Sequence, residues 1–218
     1  MRPSSAGCCA SWSASGLPDA SVDAEALVEK LHGTDRRSTG RADEVAADVL
    51  AEPNLFSALV DAMTGSDAVV RMRAADAAEK VTRSRPDLLT AHKARLLGEV
   101  AAAPQQEVRW HIAQMLPRLE LTHNERDRAV QLLLGYLDDE SRIERTFATQ
   151  ALADLAAEDE ALRARVTPIL ERLAAIGSPA MRSRGRKLVD RLRRAPRARG
   201  ALRRDGPPAR NQTPDSQR

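Results

Sequence analysis

Apolar positions along the chain recur three and four residues apart, the spacing that gathers them on one face of an α-helix. Val108, Ile112, Met115 and Leu119 form such a stripe, and Met181, Gly185, Leu188 and Leu192 form another. The stripes belong to a repeat. VRMRAADAAEKV (70–81), VRWHIAQMLPRL (108–119), IERTFATQALADL (143–155) and AMRSRGRKLVDRL (180–192) begin 38, 35 and 37 residues apart, each with a small residue at one place: Ala75, Ala113, Ala148 and Gly185. A second apolar helix lies between successive members: LLTAHKARLLGEV, RDRAVQLLLGYL and LRARVTPILERL. Each repeat therefore reads as helix, turn, helix, and self-similarity at this period predicts stacked helical hairpins, an α-solenoid.

The punctuation supports this parsing. Thr122 with Glu125, and Ser141 with Glu144, have the S/T-x-x-E spacing of a capping box at a helix start. Pro86, Pro104 and Pro179 stand where first-turn prolines belong. Pro117 falls inside a helix, where its missing N–H and its ring predict a kink. Upstream, DEVAADVLA and LFSALVDAM, broken by Pro53, read as one more hairpin, preceded by a lone helix in VDAEALVEKLHG. Residues 21–194 thus form an all-α repeat domain of about ten helices. The polar leader 1–20 and the Arg/Pro-rich tail 195–218 are expected to be disordered.

Composition agrees with a helical reading: aromatic residues are 2% of the chain, and Ala, Leu, Arg, Glu and Asp dominate. No run of eighteen apolar residues is present for a membrane span. The two cysteines, Cys8 and Cys9, are adjacent and cannot staple a fold, which points to a reducing, cytoplasmic setting. Charge is asymmetric. From Ser178 onward, 13 Lys/Arg face 3 Asp/Glu, whereas the whole chain is only +3, so an acidic body carries a basic C-terminal end.

The repeat lengths and the small-residue position, over roughly residues 42–194, resemble HEAT-like repeats, the armadillo-related α-solenoids. RMRAADAAEKVTRSRPDLL, EVRWHIAQMLPRL and SPAMRSRGRKL are similar to segments of small, uncharacterised bacterial HEAT-repeat proteins. The resemblance implies a fold and no activity. HEAT-repeat deoxyhypusine hydroxylases bind iron through paired His-Glu motifs, and none of His32, His92, His111 and His123 is followed by Glu. Bilin lyases also contain such repeats, but no Cys or His constellation here supports that chemistry.

Trp110 and His111 are the most conspicuous side chains of the body. In the sequence alignment of the repeats Trp110 falls where neighbouring repeats have Met72 and Arg145, and His111 where they have Arg73 and Thr146. Unrelated residues at equivalent positions favour a ring that fills the seam between repeats over a stacking platform. Asp138, Asp139 and Glu140 read as a solvated turn before a helix start, because a calcium loop spreads its ligands over about twelve residues. No catalytic set, metal site or cofactor site is expected, nor a small-molecule substrate.

The reading that follows is a non-enzymatic scaffold binding another protein along the second helices of the hairpins. The polar positions there are Lys93, Arg95, Glu99, Arg128, Gln131, Tyr136, Arg165 and Arg172. The alternative is nucleic-acid binding through the basic tail and the last helix, where Arg182, Arg184, Arg186, Lys187, Arg191, Arg193 and Arg194 surround one apolar stripe. HEAT-like DNA glycosylases offer a precedent for that alternative, although their aromatic and acidic cleft is not matched.

Overall fold

The computed structural model describes residues 20–35, 37–176 and 179–195, so the leader and tail lie outside it except for Ala20 and Ala195. Among the described residues all regular structure is helical and no strand occurs. The α-helices are α1 (Ala20–Glu29), α2 (Ala42–Ala51), α3 (Phe56–Ala62), α4 (Ala68–Ser84), α5 (Lys93–Leu96), α6 (Gln106–Met115), α7 (His123–Leu137), α8 (Arg142–Ala157), α9 (Glu160–Ile176) and α10 (Pro179–Arg194). Prolines mark three short 3₁₀ segments, Pro53–Leu55, Pro86–His92 and Leu116–Arg118. At Pro117 the expected kink takes this form: α6 stops at Met115 and tightens into a 3₁₀ turn.

The helix expected across residues 88–100 is a 3₁₀ segment followed by the single-turn α5. Only Leu89, Leu96, Leu97 and Val100 of this stretch are buried. Tertiary packing, which sustains most helices in proteins, is correspondingly thin. Caps follow the sequence more closely. Thr122 and Glu125 form the reciprocal capping box of α7. At α8 the box is half made: Ser141 Oγ accepts from the Glu144 N–H at 3.3 Å, but the Ser141 N–H donates to Asp139 instead. The Glu144 side chain is engaged elsewhere.

Burial fixes the repeat register. Val70, Ala74, Ala75, Ala77, Ala78 and Val81 are buried on α4. Thirty-eight residues on, Val108, Ile112, Ala113, Met115, Leu116 and Leu119 are buried in the same pattern. After a further 36, the pattern returns as Glu144, Ala148, Thr149, Ala151, Leu152 and Leu155. The sequence spacing of 35 is therefore one residue short. It matched Ile143 to Val108, whereas Ile143 is 51% exposed and Glu144 occupies the core position at 0%.

The chain divides into two compact units, one ending at Leu155 and one beginning at Ala156. In the first, α4 is the central element, with α2 and α6 on its flanks and α3 and the 3₁₀ segment Pro86–His92 behind it. Arg73 on α4 is 5% exposed. Its guanidinium donates to the carbonyls of Leu31, His32, Asp35 and Ser38, clamping the connection between α1 and α2. Gly40, at φ +54°, lies against that guanidinium, which a side chain there would strike.

In the second unit α10 packs on α9 through Leu188, Val189 and Leu192, all buried. Gly185 sets the approach: a Cβ built there would lie 2.9 Å from Ala174 Cβ and 3.1 Å from Ala174 Cα. Since backbone cannot give way as a side-chain tip can, Gly185→Val is expected to cost about 1 to 3 kcal/mol by overpacking. Urea unfolding of the variant checks this, and an unchanged midpoint would show that the two helices have slack.

Candidate functional site

The second-helix positions do not form a uniformly free surface. Lys93 Nζ donates to the Glu120 carbonyl at 2.7 Å and pairs with Glu125 at 3.1 Å. Arg95 is held between Asp61 and the exposed Glu99. Tyr136 is corrected from a surface contact to a core residue: it is 6% exposed, and its hydroxyl donates to the Ala101 carbonyl at 2.7 Å. Arg109 lies over its ring, 5.9 Å from the centroid. Burial pushes the phenol well above its ordinary range. Arg128 and Gln131 on α7 are exposed, as are Arg165 and Arg172 on α9 in the second unit.

The first helices carry more organised chemistry. In the register set by burial, Arg71, Arg109 and Arg145 are equivalent, and so are Asp76, Gln114 and Gln150, and Lys80, Arg118 and Asp154. Arg71 reaches forward to Gln105 Oε1 at 2.9 Å, while Gln105 Nε2 donates back to the Ala68 carbonyl. The two helix starts are thereby joined. Arg109 makes the same reach to Asp139 at 2.6 Å and to Glu144 at 2.8 Å. Desolvation dominates at Glu144, holding its carboxyl above the usual carboxylate range despite Arg109. At Glu79, on α4, burial alone would do likewise. There Arg83 and Arg118 together outweigh it, and the carboxyl lies below its usual range. Arg118 also donates to the Glu79 carbonyl and to Thr82 Oγ1, so the end of α6 is tied to α4.

Between α6, its 3₁₀ extension and α8 runs a groove of about 280 Å³. Ala113, Pro117, Phe147 and Ala151 supply its apolar lining, and Gln114, Arg118, Gln150 and Asp154 its polar lining. Gln150 Nε2 donates to both Asp154 oxygens at 3.0 and 3.2 Å, and Gln114 Nε2 to the Trp110 carbonyl at 3.2 Å. Both amide groups are thus oriented. Pairing of the repeats by sequence had no means of finding this groove, because the one-residue slip put Gln150 opposite Met115.

Trp110 is half-buried, its ring tilted against His111 with centroids 5.8 Å apart. The equivalent residues are Met72 and Thr146, and those of His111 are Arg73 and Phe147. Burial holds the His111 imidazole below its ordinary value of 6.5, against the pull of Asp76, whose Oδ1 is 3.9 Å from Nε2. Burial likewise lowers His92. A depressed folded value means that the unfolded chain takes up the proton first. The stability due to both groups is complete above about pH 6.5 and is lost as pH falls towards their folded values. The melting temperature is expected to drop from pH 7 to pH 5, and to drop less in His111→Gln. Equal slopes would exclude His111 as a cause.

On α10, Arg184, Arg186, Lys187, Arg191, Arg193 and Arg194 are exposed and Arg182 is half-buried. Arg193 pairs with Glu171 at 2.7 Å. Among the described residues there is no group of three or more His, Cys, Asp or Glu side chains placed to hold a metal ion. No helix among them is long and apolar enough to cross a membrane.

The chain matches no family model and no curated protein. It is similar to solved structures. One is of computationally designed armadillo repeat proteins for modular peptide recognition, with TM-score 0.56 and 17% identity over 76% of this chain and 80% of that one. Two engineered proteins give TM-scores of 0.54 and 0.55 at 18% identity, over 77% and 78% of this chain and 80% and 77% of theirs. At this identity the likeness is one of fold. The fold is an armadillo-like α-solenoid, the class to which the HEAT-like repeats also belong.

Proposed function

We propose that the chain is a non-enzymatic protein-binding scaffold that holds an extended peptide segment of its partner along the first helices, in the groove between α6 and α8. The groove itself carries this reading: an apolar floor with two oriented amides at one register position on neighbouring helices. An extended strand presents main-chain N–H and C=O groups every ~3.3 Å. Gln114 and Gln150 hold one register position on α6 and α8 and both line the groove, so their amides can meet main-chain groups of one extended segment. The glutamine carbonyl oxygens can accept from peptide N–H groups while the floor takes a side chain. Recognition of peptides by the designed armadillo repeat proteins supports the same use of the fold. The exposed second-helix residues of the first unit, Arg128 and Gln131, then lie outside the binding face.

Selection of a random linear-peptide display library on the full-length protein tests the proposal. Enriched peptides are expected to lose binding to a Gln114→Ala, Gln150→Ala variant whose melting temperature is unchanged. Enrichment of no peptide, or of peptides indifferent to both substitutions, would overturn it.

A further inference from the structure

The first and last helices among the described residues carry opposite charge. Helix α1 contains Asp23, Glu25 and Glu29 and no base, whereas α10 contains seven bases and the single acid Asp190. Between α1 and α3 an open groove of about 540 Å³ is floored by Ala24, Val28, Ala58 and Ala62. Glu25, Glu29, His32 and Asp61 line its edge. Asp61 is paired with Arg95, and Glu29 stands 3.9 Å from His32. Glu25 is exposed and makes no ion pair among the described residues.

We propose that this groove takes α10 of a second copy of the chain, in a head-to-tail contact. Small apolar side chains provide a floor on which the aliphatic stems of arginine can lie. The carboxylates at the edge are acceptors for guanidinium groups. The apolar stripe of α10 is already covered by α9, so α10 meets the groove with its charged outer face, through Arg186, Lys187 and Arg194. Every copy carries both the groove and the basic helix. The contact is heterologous, and it propagates to a ring or a filament unless one face is removed.

The test is sedimentation velocity of full-length, nuclease-treated protein. Wild type is expected to associate with rising concentration at about 50 mM salt and to dissociate at about 500 mM, where screening is nearly complete. Two charge-neutralising variants, Glu25→Gln with Glu29→Gln, and Arg186→Gln with Lys187→Gln and Arg194→Gln, are each expected to associate at least about tenfold more weakly. Mixed, they retain one intact groove and one intact α10 between them and should form a 1:1 dimer that grows no further. This result also shows that both variants are folded. Wild type that stays monomeric, variants that assemble as it does, or a mixture that stays monomeric would overturn the proposal. Assembly lost on nuclease treatment would also overturn it, in favour of nucleic acid bridging the basic helices. None of these substitutions touches Gln114 or Gln150, so the outcome is separable from that of peptide binding.

Discussion

Arg73→Met is expected to cost about 3 kcal/mol or more, because one buried cation supplies every hydrogen bond that its side chain makes to four loop carbonyls. Among the described residues no carboxylate pairs with Arg73, so the stabilisation is that of a charged donor meeting backbone carbonyls at a part-buried site. Methionine replaces the stem and leaves the carbonyls of Leu31, His32, Asp35 and Ser38 without a donor. Arg73→Lys is expected to recover little, since one ammonium cannot reproduce a planar fork with five N–H groups. Urea denaturation gives the magnitude. Amide hydrogen exchange should show protection lost first between α1 and α2. A variant with wild-type stability and wild-type exchange in that connection would remove Arg73 from the folding of the first unit.

Arg109→Ala is expected to cost about 3 to 5 kcal/mol, because it leaves the fully buried Glu144 carboxylate without its partner. Glu144→Val in the Arg109→Ala background should recover most of that loss, since Val70 and Val108 fill the same position in the preceding repeats. The pH dependence has a definite sign. Burial raises the Glu144 carboxyl in the folded state, so the folded protein binds the proton more readily and the cost of burial shrinks as pH falls. The Arg109→Ala defect is therefore expected to be smaller at pH 5 than at pH 7. Thermal melts of the single and double variants at both values decide it; a double variant no more stable than the single would mean that Glu144 is not in the valine position.

The fold was legible because helical periodicity, proline positions and the Thr122–Glu125 box are local signals, and local signals survive into the structure. Register was less so. Ile143 is apolar and Glu144 charged, so a reading by polarity sets Ile143 against Val108; the structure reverses them because Arg109, from the preceding repeat, compensates the buried acid. Tyr136 misled for the same reason, and the burial of Arg73 was hidden by it. Each has a polar end whose partners, the carbonyls of Leu31 to Ser38 and of Ala101, lie about 35 to 42 residues away in sequence. Nothing local in the chain announces them. The groove between α6 and α8 depends on two residues, Gln114 and Gln150, being brought to one level, and that is visible only once the 36-residue spacing is known.

Amide chemical-shift mapping of the full-length protein, titrated with a linear peptide selected on it, tests most directly which face binds. The expected perturbations centre on Gln114, Arg118, Phe147, Gln150 and Asp154, with saturation at a single 1:1 stoichiometry. Perturbations centred instead on Arg128 and Gln131 of α7, with the α6 and α8 residues unmoved, would contradict the assignment and place binding on the second helices.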